Sequence, residues 1–157
     1  MKDLKTLITG LKSERLTERK KAAAELGRIG NPDAGPHLIK AFNDPNPHVR
    51  SAAAFSVGMI GFGDATEPLI KLLGDEDKYV RKSAAKALGM LNARKAVDAL
   101  INTLDDPIDI VRKSAVRSLG IINDKRAIPA IQHVLGDRSG IVRIAAKEAF
   151  KKLNGYT

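Results

Sequence analysis

Cysteine and tryptophan are both absent from the 157-residue sequence. Without cysteine, the chain can form neither a disulfide nor a thiolate metal site, and it lacks a cysteine nucleophile. Long apolar runs are missing as well, since no segment approaches the roughly 20 apolar residues that span a bilayer. The N-terminal residues mix charged and apolar side chains and lack the apolar core of a secretory signal. We therefore predict a cytoplasmic protein without a membrane segment.

Aromatic residues are scarce, at 4% of the sequence, which leaves few platforms on which nucleic-acid bases could stack. Negative charge is also in short supply, because 18 Asp and Glu accompany 27 Lys and Arg, for a formal net charge of +9. Such an excess favours an anionic partner, such as an acidic protein or nucleic acid. With 43% hydrophobic residues, the composition is otherwise typical of a soluble globular protein.

What the sequence does contain is one pattern that recurs at a constant spacing along the whole chain. The pattern begins with Val-Arg, and four evenly spaced copies start at Val49, Val80, Val111 and Val142. A less regular first copy has Glu18-Arg19 at the equivalent place. Further along each copy lies a glycine column, made of Gly27, Gly58, Gly89 and Gly120. We interpret these glycines as packing positions, where a missing side chain lets successive helices approach each other.

Each copy also contains two segments with apolar residues three and four positions apart, the spacing of an amphipathic helix. We predict first helices near 2–12, 33–43, 64–74, 95–105 and 126–136. Second helices are predicted near 17–30, 48–61, 79–92, 110–123 and 141–153. Candidate helix caps are Asn46, Asp77 and Ser139, and candidate helix ends are Gly74 and Gly136.

These helix pairs predict an all-α superhelix, or solenoid, because so short a hairpin must stack on its neighbours to bury its apolar face. Five hairpins are expected at about 1–31, 32–62, 63–93, 94–124 and 125–157, in a single domain covering 1–157. Polar residues replace apolar ones at both ends of the array, with Glu18 in the valine column and Lys151 in the glycine column. Terminal hairpins with one face in water would carry such residues, so we expect a complete array and favour a monomer.

The motifs Val-Arg-x-x-Ala-Ala, Leu-Gly-x-Ile and Ala-x-x-x-Leu, found for example at 80–85, 26–29 and 34–38, resemble HEAT-like repeats of the short, 31-residue kind. Repeats of this kind occur in phycobilin lyase subunits, archaeal proteins and artificial helical-repeat libraries. The resemblance covers nearly the entire chain. It implies that the second helix of each hairpin lines a concave, partner-binding side and that the first helix forms the convex side.

The most regular polar feature is an arginine column, made of Arg19, Arg50, Arg81, Arg112 and Arg143. An aspartate column precedes it by six positions, made of Asp44, Asp75, Asp106 and Asp137. Because each Asp falls in the turn within a hairpin, we predict that guanidinium–carboxylate pairs join hairpin to hairpin, and a phosphate-binding ladder is the alternative. Ser13 stands where the first Asp is expected, so Arg19 is predicted to be freer than the other arginines.

Catalytic signatures are not found. The histidines His37, His48 and His133 fall in three different columns of the repeat and do not converge on a metal. HEAT-like hydroxylases that carry iron depend on repeated His-Glu pairs, and no His here is followed by Glu. A phosphate-binding glycine loop and a serine elbow are also missing. We therefore predict a protein that is not an enzyme, with no catalytic residues, no cofactor and no metal.

Positions that the repeat leaves variable mark the candidate partner site, and on the second helices positions four apart share a face. Its apolar members are Phe55, Met59, Met90 and Ile121, with Phe62 nearby. Beside them lies a basic patch, made of Lys82, Lys86, Lys113 and Arg117. The alternative is that the apolar members belong to the core, but the column of Met59 and Met90 accepts Arg28 and Lys152, which favours exposure.

Apolar anchors rimmed by basic side chains favour a protein or peptide partner of acidic character. The sequence therefore predicts a binding scaffold or adaptor that recognises such a partner on its concave face. Two alternatives stay open. One is weakly specific nucleic-acid binding through phosphate contacts, and the other is an accessory subunit of a chromophore lyase.

Overall fold

The computed structural model describes residues 3–156, which form a solenoid of five helical hairpins. The first helices of the hairpins are α1 (Leu4–Gly10), α3 (Gly35–Lys40), α5 (Thr66–Leu72), α7 (Val97–Asn102) and α9 (Ile128–His133). The second helices are α2 (Leu16–Ile29), α4 (Pro47–Met59), α6 (Lys78–Met90), α8 (Asp109–Ile122) and α10 (Gly140–Leu153). No strand occurs within the described range. The predicted all-α superhelix is confirmed.

The two helices of a hairpin differ in regularity. Second helices are continuous over 13 or 14 residues. The α-helical part of each first helix spans only 6 or 7 residues. Short 3₁₀ turns extend the later first helices, at Pro32–Ala34, Ala41–Asn43, Gly63–Ala65, Arg94–Ala96, Thr103–Asp105, Lys125–Ala127 and Val134–Gly136. Counting these turns, the predicted boundaries lie close to the observed ones.

Successive second helices pack directly on one another, and the glycine column makes this possible. A Cβ atom added to Gly58 would lie 2.9 Å from the Cα atom of Ala87 on the next helix. Serines lie opposite two other members of the glycine column and form hydrogen bonds between neighbouring second helices. Ser56 Oγ donates to the carbonyl of Ala23 at 2.8 Å, and Ser118 Oγ donates to that of Ala85 at 2.7 Å. The interpretation of the glycines as packing positions is confirmed.

Turn chemistry explains where the second helices end. Gly30, Gly61, Asn92 and Asn123 all have positive φ and stand in one column of the repeat, immediately before the next first helix. Glycine and asparagine are the residue types that tolerate this left-handed conformation best. Gly74 and Gly136 do lie at the ends of first helices as predicted, but neither has positive φ.

The predicted caps are correct for two of three residues. Asn46 accepts a hydrogen bond from the backbone N–H of His48, and Asp77 accepts from Tyr79 and Val80. Ser139 occupies the N-cap position of α10 without capping it. Its hydroxyl donates to Asp109 Oδ2 at 2.9 Å, on the preceding second helix.

The arginine column joins adjacent hairpins, as predicted. Arg112 donates through Nε and Nη2 to both carboxylate oxygens of Asp137, each at 2.8 Å. Its Nη1 donates to the carbonyls of Asp106 and Pro107 in its own hairpin turn. The same two-pronged contact recurs in the pairs Arg19–Asp44, Arg50–Asp75 and Arg81–Asp106. The paired carboxylate therefore belongs to the next hairpin, and the preceding Asp contributes its backbone carbonyl.

One expectation about this column is wrong. Arg19 is not freer than the others, because its partner is Asp44 of the second hairpin and Ser13 does not bear on that pairing. Among the described residues, Arg143 is the member without a carboxylate partner. Its guanidinium donates only to the carbonyls of Asp137 and Arg138 within residues 3–156.

Candidate partner-binding face

The outward positions of the five second helices form one continuous surface, which we call the second-helix face. Each helix contributes three positions four residues apart, since the opposite side of the helix carries the buried alanines, valines and leucines of the core. Its members are Lys20, Ala24, Arg28, Ser51, Phe55, Met59, Lys82, Lys86, Met90, Lys113, Arg117, Ile121, Ile144, Glu148 and Lys152.

A groove with a volume of about 790 Å³ crosses this face over α2, α4 and α6. Phe55 and Met59 supply large apolar side chains to its lining, and Lys20, Lys82 and Lys86 supply positive charge. Among the described residues, no carboxylate lines it. The groove therefore offers apolar surface to a ligand together with an electrostatic preference for negative charge.

Phe55 lines the groove and is half-buried, with the Nζ atom of Lys86 4.5 Å from the centroid of its ring. An ammonium over an aromatic face is attracted by the ring's quadrupole. Tyr79, on the same helix as Lys86, has Lys78 and Lys82 at 5.3 and 5.9 Å from its ring. The aromatic rings therefore hold the lysine side chains close to the surface.

The methionines and Ile121 are exposed. The exposed fractions are 41% for Met59, 41% for Met90 and 54% for Ile121. The predicted exposure of these side chains is confirmed, and the alternative that they belong to the core is wrong. Met90 lies over Gly58 of α4, since its sulfur is 3.3 Å from the position that a Cβ atom there would take.

Phe62 lies apart from these residues. It follows α4, and its ring packs closely against Gly35 of the same hairpin and against the core. It does not line the groove. Although Phe62 was predicted as a neighbour of the apolar anchors, the structure gives it contacts within the framework.

The basic patch consists of exposed or half-buried side chains. Within residues 3–156, none of Lys82, Lys86, Lys113 and Arg117 forms a salt bridge. Arg28 differs, because it pairs with Glu25 at 2.7 Å on its own helix. The patch therefore presents four uncompensated positive charges to the surroundings.

The structure divides the predicted site residues between two hollows. Phe55, Met59, Lys82 and Lys86 line the large groove. Arg117 and Ile121 line a shallower hollow of about 180 Å³ against α10. Met90 and Lys113 belong to neither lining.

The predicted site residues did not include several side chains that line the groove, namely Lys20, Arg28, His48, Ser51 and Tyr79. Lys20, Arg28 and Ser51 stand in the same repeat columns as the predicted residues, so the period does place them on this face. Tyr79 and His48 stand one helical turn earlier on their helices. Their contribution follows from the hollow between adjacent helices.

Between residues 3 and 156, no three His, Cys, Asp or Glu side chains lie close enough together to hold a metal ion. Over the same range, no helix has the length and apolar character that crossing a membrane requires.

The fold and the exposed face define a helical-repeat scaffold. Sequence comparison is more specific, because the model of HEAT repeats matches residues 4–73 and 66–151. The chain therefore belongs to the HEAT repeat family. A search of curated protein sequences finds no significant match.

Solved structures share this fold. A chain in the complex of CpcE and CpcF of phycocyanin lyase from Nostoc sp. is 31% identical, with a TM-score of 0.91 over 99% of this chain and 66% of its own length. A designed armadillo repeat protein in complex with the peptide (KR)4 is 22% identical, with a TM-score of 0.75 over 96% and 82%. YibA of Escherichia coli is 24% identical, with a TM-score of 0.77 over 99% and 60%. The chain thus spans about two thirds of the Nostoc chain.

Proposed function

We propose that this chain is a non-enzymatic binding scaffold that recognises an acidic protein or peptide on its second-helix face. The observation that carries the proposal is the groove over α2, α4 and α6, where accessible apolar side chains adjoin lysines and, among the described residues, no carboxylate. Interfaces of this kind depend on a few central apolar anchors, here Phe55 and Met59, with charged groups around them.

Charge complementarity determines the sign of the partner's charge. The designed armadillo repeat protein holds a peptide of Lys and Arg. The second-helix face of the present chain is itself basic, because Lys82, Lys86, Lys113 and Arg117 have no salt-bridge partner in the described range. An acidic partner would supply the missing counter-charges, raise the rate of association and exclude basic competitors.

A direct test measures binding of a fluorescent acidic peptide that contains leucines, by anisotropy at low ionic strength. We expect the variant with Lys82→Glu and Lys113→Glu to bind at least tenfold more weakly than the unchanged protein. The matched control is Lys71→Glu with Lys125→Glu, two exposed lysines on the first-helix side, which carries the same change in net charge. Equal losses in both variants would contradict a site on the second-helix face.

A second candidate is a subunit of a chromophore lyase, favoured by the 31% identity to the Nostoc chain along almost the whole present sequence. Under this alternative, the second-helix face binds a second subunit or a bilin. Titration of the purified chain with a free bilin distinguishes the two functions. A saturable change in visible absorbance supports the lyase role, and an unchanged spectrum supports the scaffold.

A further inference from the structure

Two neighbouring second helices carry the same order of side chains along the exposed face. On α6 the order is Tyr79, Lys82, Lys86, Met90, and on α8 it is Ile110, Lys113, Arg117, Ile121. Spacings of three, four and four positions keep each set on one side of its helix. In both helices, therefore, two basic side chains in the middle lie between an apolar side chain at each end.

The pattern stops on both sides of this pair of helices. On α4 the middle positions are Ser51 and Phe55, and on α10 they are Ile144 and Glu148. The basic patch consequently forms a strip that crosses α6 and α8, with one apolar row along each edge. One row contains Tyr79 and Ile110, and the other contains Met90 and Ile121, continued by Met59.

Dimensions limit what can lie on this strip. The two rows are eleven positions apart along each helix, which is about 16 Å at a rise of about 1.5 Å per residue. An α-helix with its side chains is about 10–12 Å across and fits between them. An extended strand directs alternate side chains to opposite faces, so it would present a single row and leave one apolar edge uncovered.

Neighbouring helices of a packed layer lie about 8–10 Å apart. Along a bound helix, this distance corresponds to about five to seven residues at about 1.5 Å each. Acidic residues seven positions apart would therefore face the basic pairs of α6 and α8 in turn. Apolar residues on the two flanks of the same helix would cover the two rows.

We propose that the strip binds an acidic amphipathic helix of a partner protein, about four helical turns long, that lies across α6 and α8. This inference rests on the proposed function and narrows it to one kind of partner. The charges favour it because all four basic side chains lack carboxylate partners in the part of the chain that the structure describes. The apolar rows favour it because exposed fractions of 45% for Tyr79 and 41% for Met90 leave both edges open.

Three synthetic peptides of equal length and net charge test the proposal. The first has glutamates seven positions apart with leucines on both flanks, and the second has the same residues shuffled off one face. In the third, a central alanine of the first is exchanged for proline, which breaks a helix. We expect the first to bind at least tenfold more tightly than the others and to gain helical circular dichroism on binding.

Variants of the protein separate this inference from the proposed function. Lys86→Glu with Arg117→Glu should lose the first peptide, and the control with Lys71→Glu and Lys125→Glu should keep it. If the proline peptide binds as tightly and is also lost in the first variant, the helical partner is wrong while the acidic-peptide function stands. If no peptide distinguishes the two variants, or none binds, both proposals fail. Displacement of the first peptide by duplex DNA of random sequence at physiological salt would assign the strip to nucleic acid.

Discussion

Two sets of basic side chains recur along the array, and the structure treats them in opposite ways. In the arginine column, Arg112 is 4% exposed and makes four hydrogen bonds, two of them to one carboxylate. In the basic patch, Lys86 and Arg117 are exposed, and neither forms a salt bridge within residues 3–156. Both sets follow the same repeat period, so periodicity alone does not separate framework from site.

What separates them is the presence of a carboxylate in the next hairpin. A planar guanidinium that contacts the Asp of the following hairpin donates two hydrogen bonds to its carboxylate. This interaction stabilises the contact between the two hairpins. A lysine on the outward columns of α6 and α8 has no carboxylate partner among the described residues. Its charge is therefore available to a binding partner.

The first prediction concerns the paired arginines. Arg81→Ala should lower the free energy of unfolding by about 3–5 kcal/mol, because Asp106 would be left largely buried without its counter-charge. Thermal or urea unfolding followed by circular dichroism measures the loss. Arg143→Ala is the matched control, since within residues 3–156 this arginine binds only carbonyls, and its loss should be much smaller.

An Arg81→Ala protein with unchanged stability and lost binding would move the arginine column from framework to site. The alternative, that the arginine column is a phosphate-binding ladder, would then be favoured. We expect binding to fall only as far as the folded fraction falls.

The second prediction concerns the exposed apolar row. Met59→Lys with Met90→Lys should leave the helical content and melting temperature nearly unchanged, because both side chains are already in contact with water. Burying two charges would instead cost several kcal/mol and unfold a small array. The same variant should bind an acidic, leucine-containing peptide at least tenfold more weakly, measured by anisotropy.

Two results would contradict this prediction in different ways. Unfolding of the double variant would show that the methionines stabilise the fold. A folded variant with unchanged peptide binding would place the interface elsewhere, on the first helices or the turns.

Most of the fold could be predicted from the sequence, because the repeat period and the helical spacing both depend on local patterns. The valine and glycine columns predicted which faces pack, and Gly58 against Ala87 confirms it. The 3₁₀ turns around the first helices were not predicted, nor was the left-handed column that includes Asn92 and Asn123. The left-handed column does follow the repeat period, with Gly or Asn in the first four copies, and was overlooked. The 3₁₀ turns depend on how each short first helix meets its neighbours.

The candidate site could be predicted only in part. The exposure of Met59 and Met90 could be predicted, because the polar residues in their repeat column are visible in the sequence. The partner of Arg19 was missed, because the carboxylate was expected in the turn of its own hairpin, where Ser13 stands, and it lies in the following hairpin. The hollows between helices depend on the shapes of two neighbours at once, so the division of the site between them needed coordinates. The single domain over residues 1–157 and the monomeric state stay predictions.

The third prediction concerns nucleic acid and tests the unpaired charges alone. Duplex DNA should bind weakly and without sequence preference, with affinity falling steeply as salt rises, because phosphate neutralisation supplies nearly all of it. Lys82→Ala with Lys113→Ala should reduce the slope of log K against log salt by about 1 per lysine. Tight, sequence-selective binding at physiological salt would instead rank nucleic acid above an acidic protein partner.

The smallest effect is expected from pH and returns to a paired arginine. The Arg112 guanidinium holds the pKa of Asp137 below its usual value, chiefly by donating to the carboxylate, and the backbone N–H of Ser139 adds to the shift. Because the folded pKa is lower than the unfolded one, the pair stabilises the fold above about pH 4, and this contribution is lost as pH falls through the folded pKa. Asp137→Asn removes the titrating group, so its stability should fall less steeply between about pH 5 and pH 2 than that of the unchanged protein. Asp105→Asn, which changes an exposed acid outside the aspartate column, should keep the original slope of stability against pH. Equal slopes for all three proteins would show that the arginine–aspartate pairs do not contribute to the pH dependence of stability.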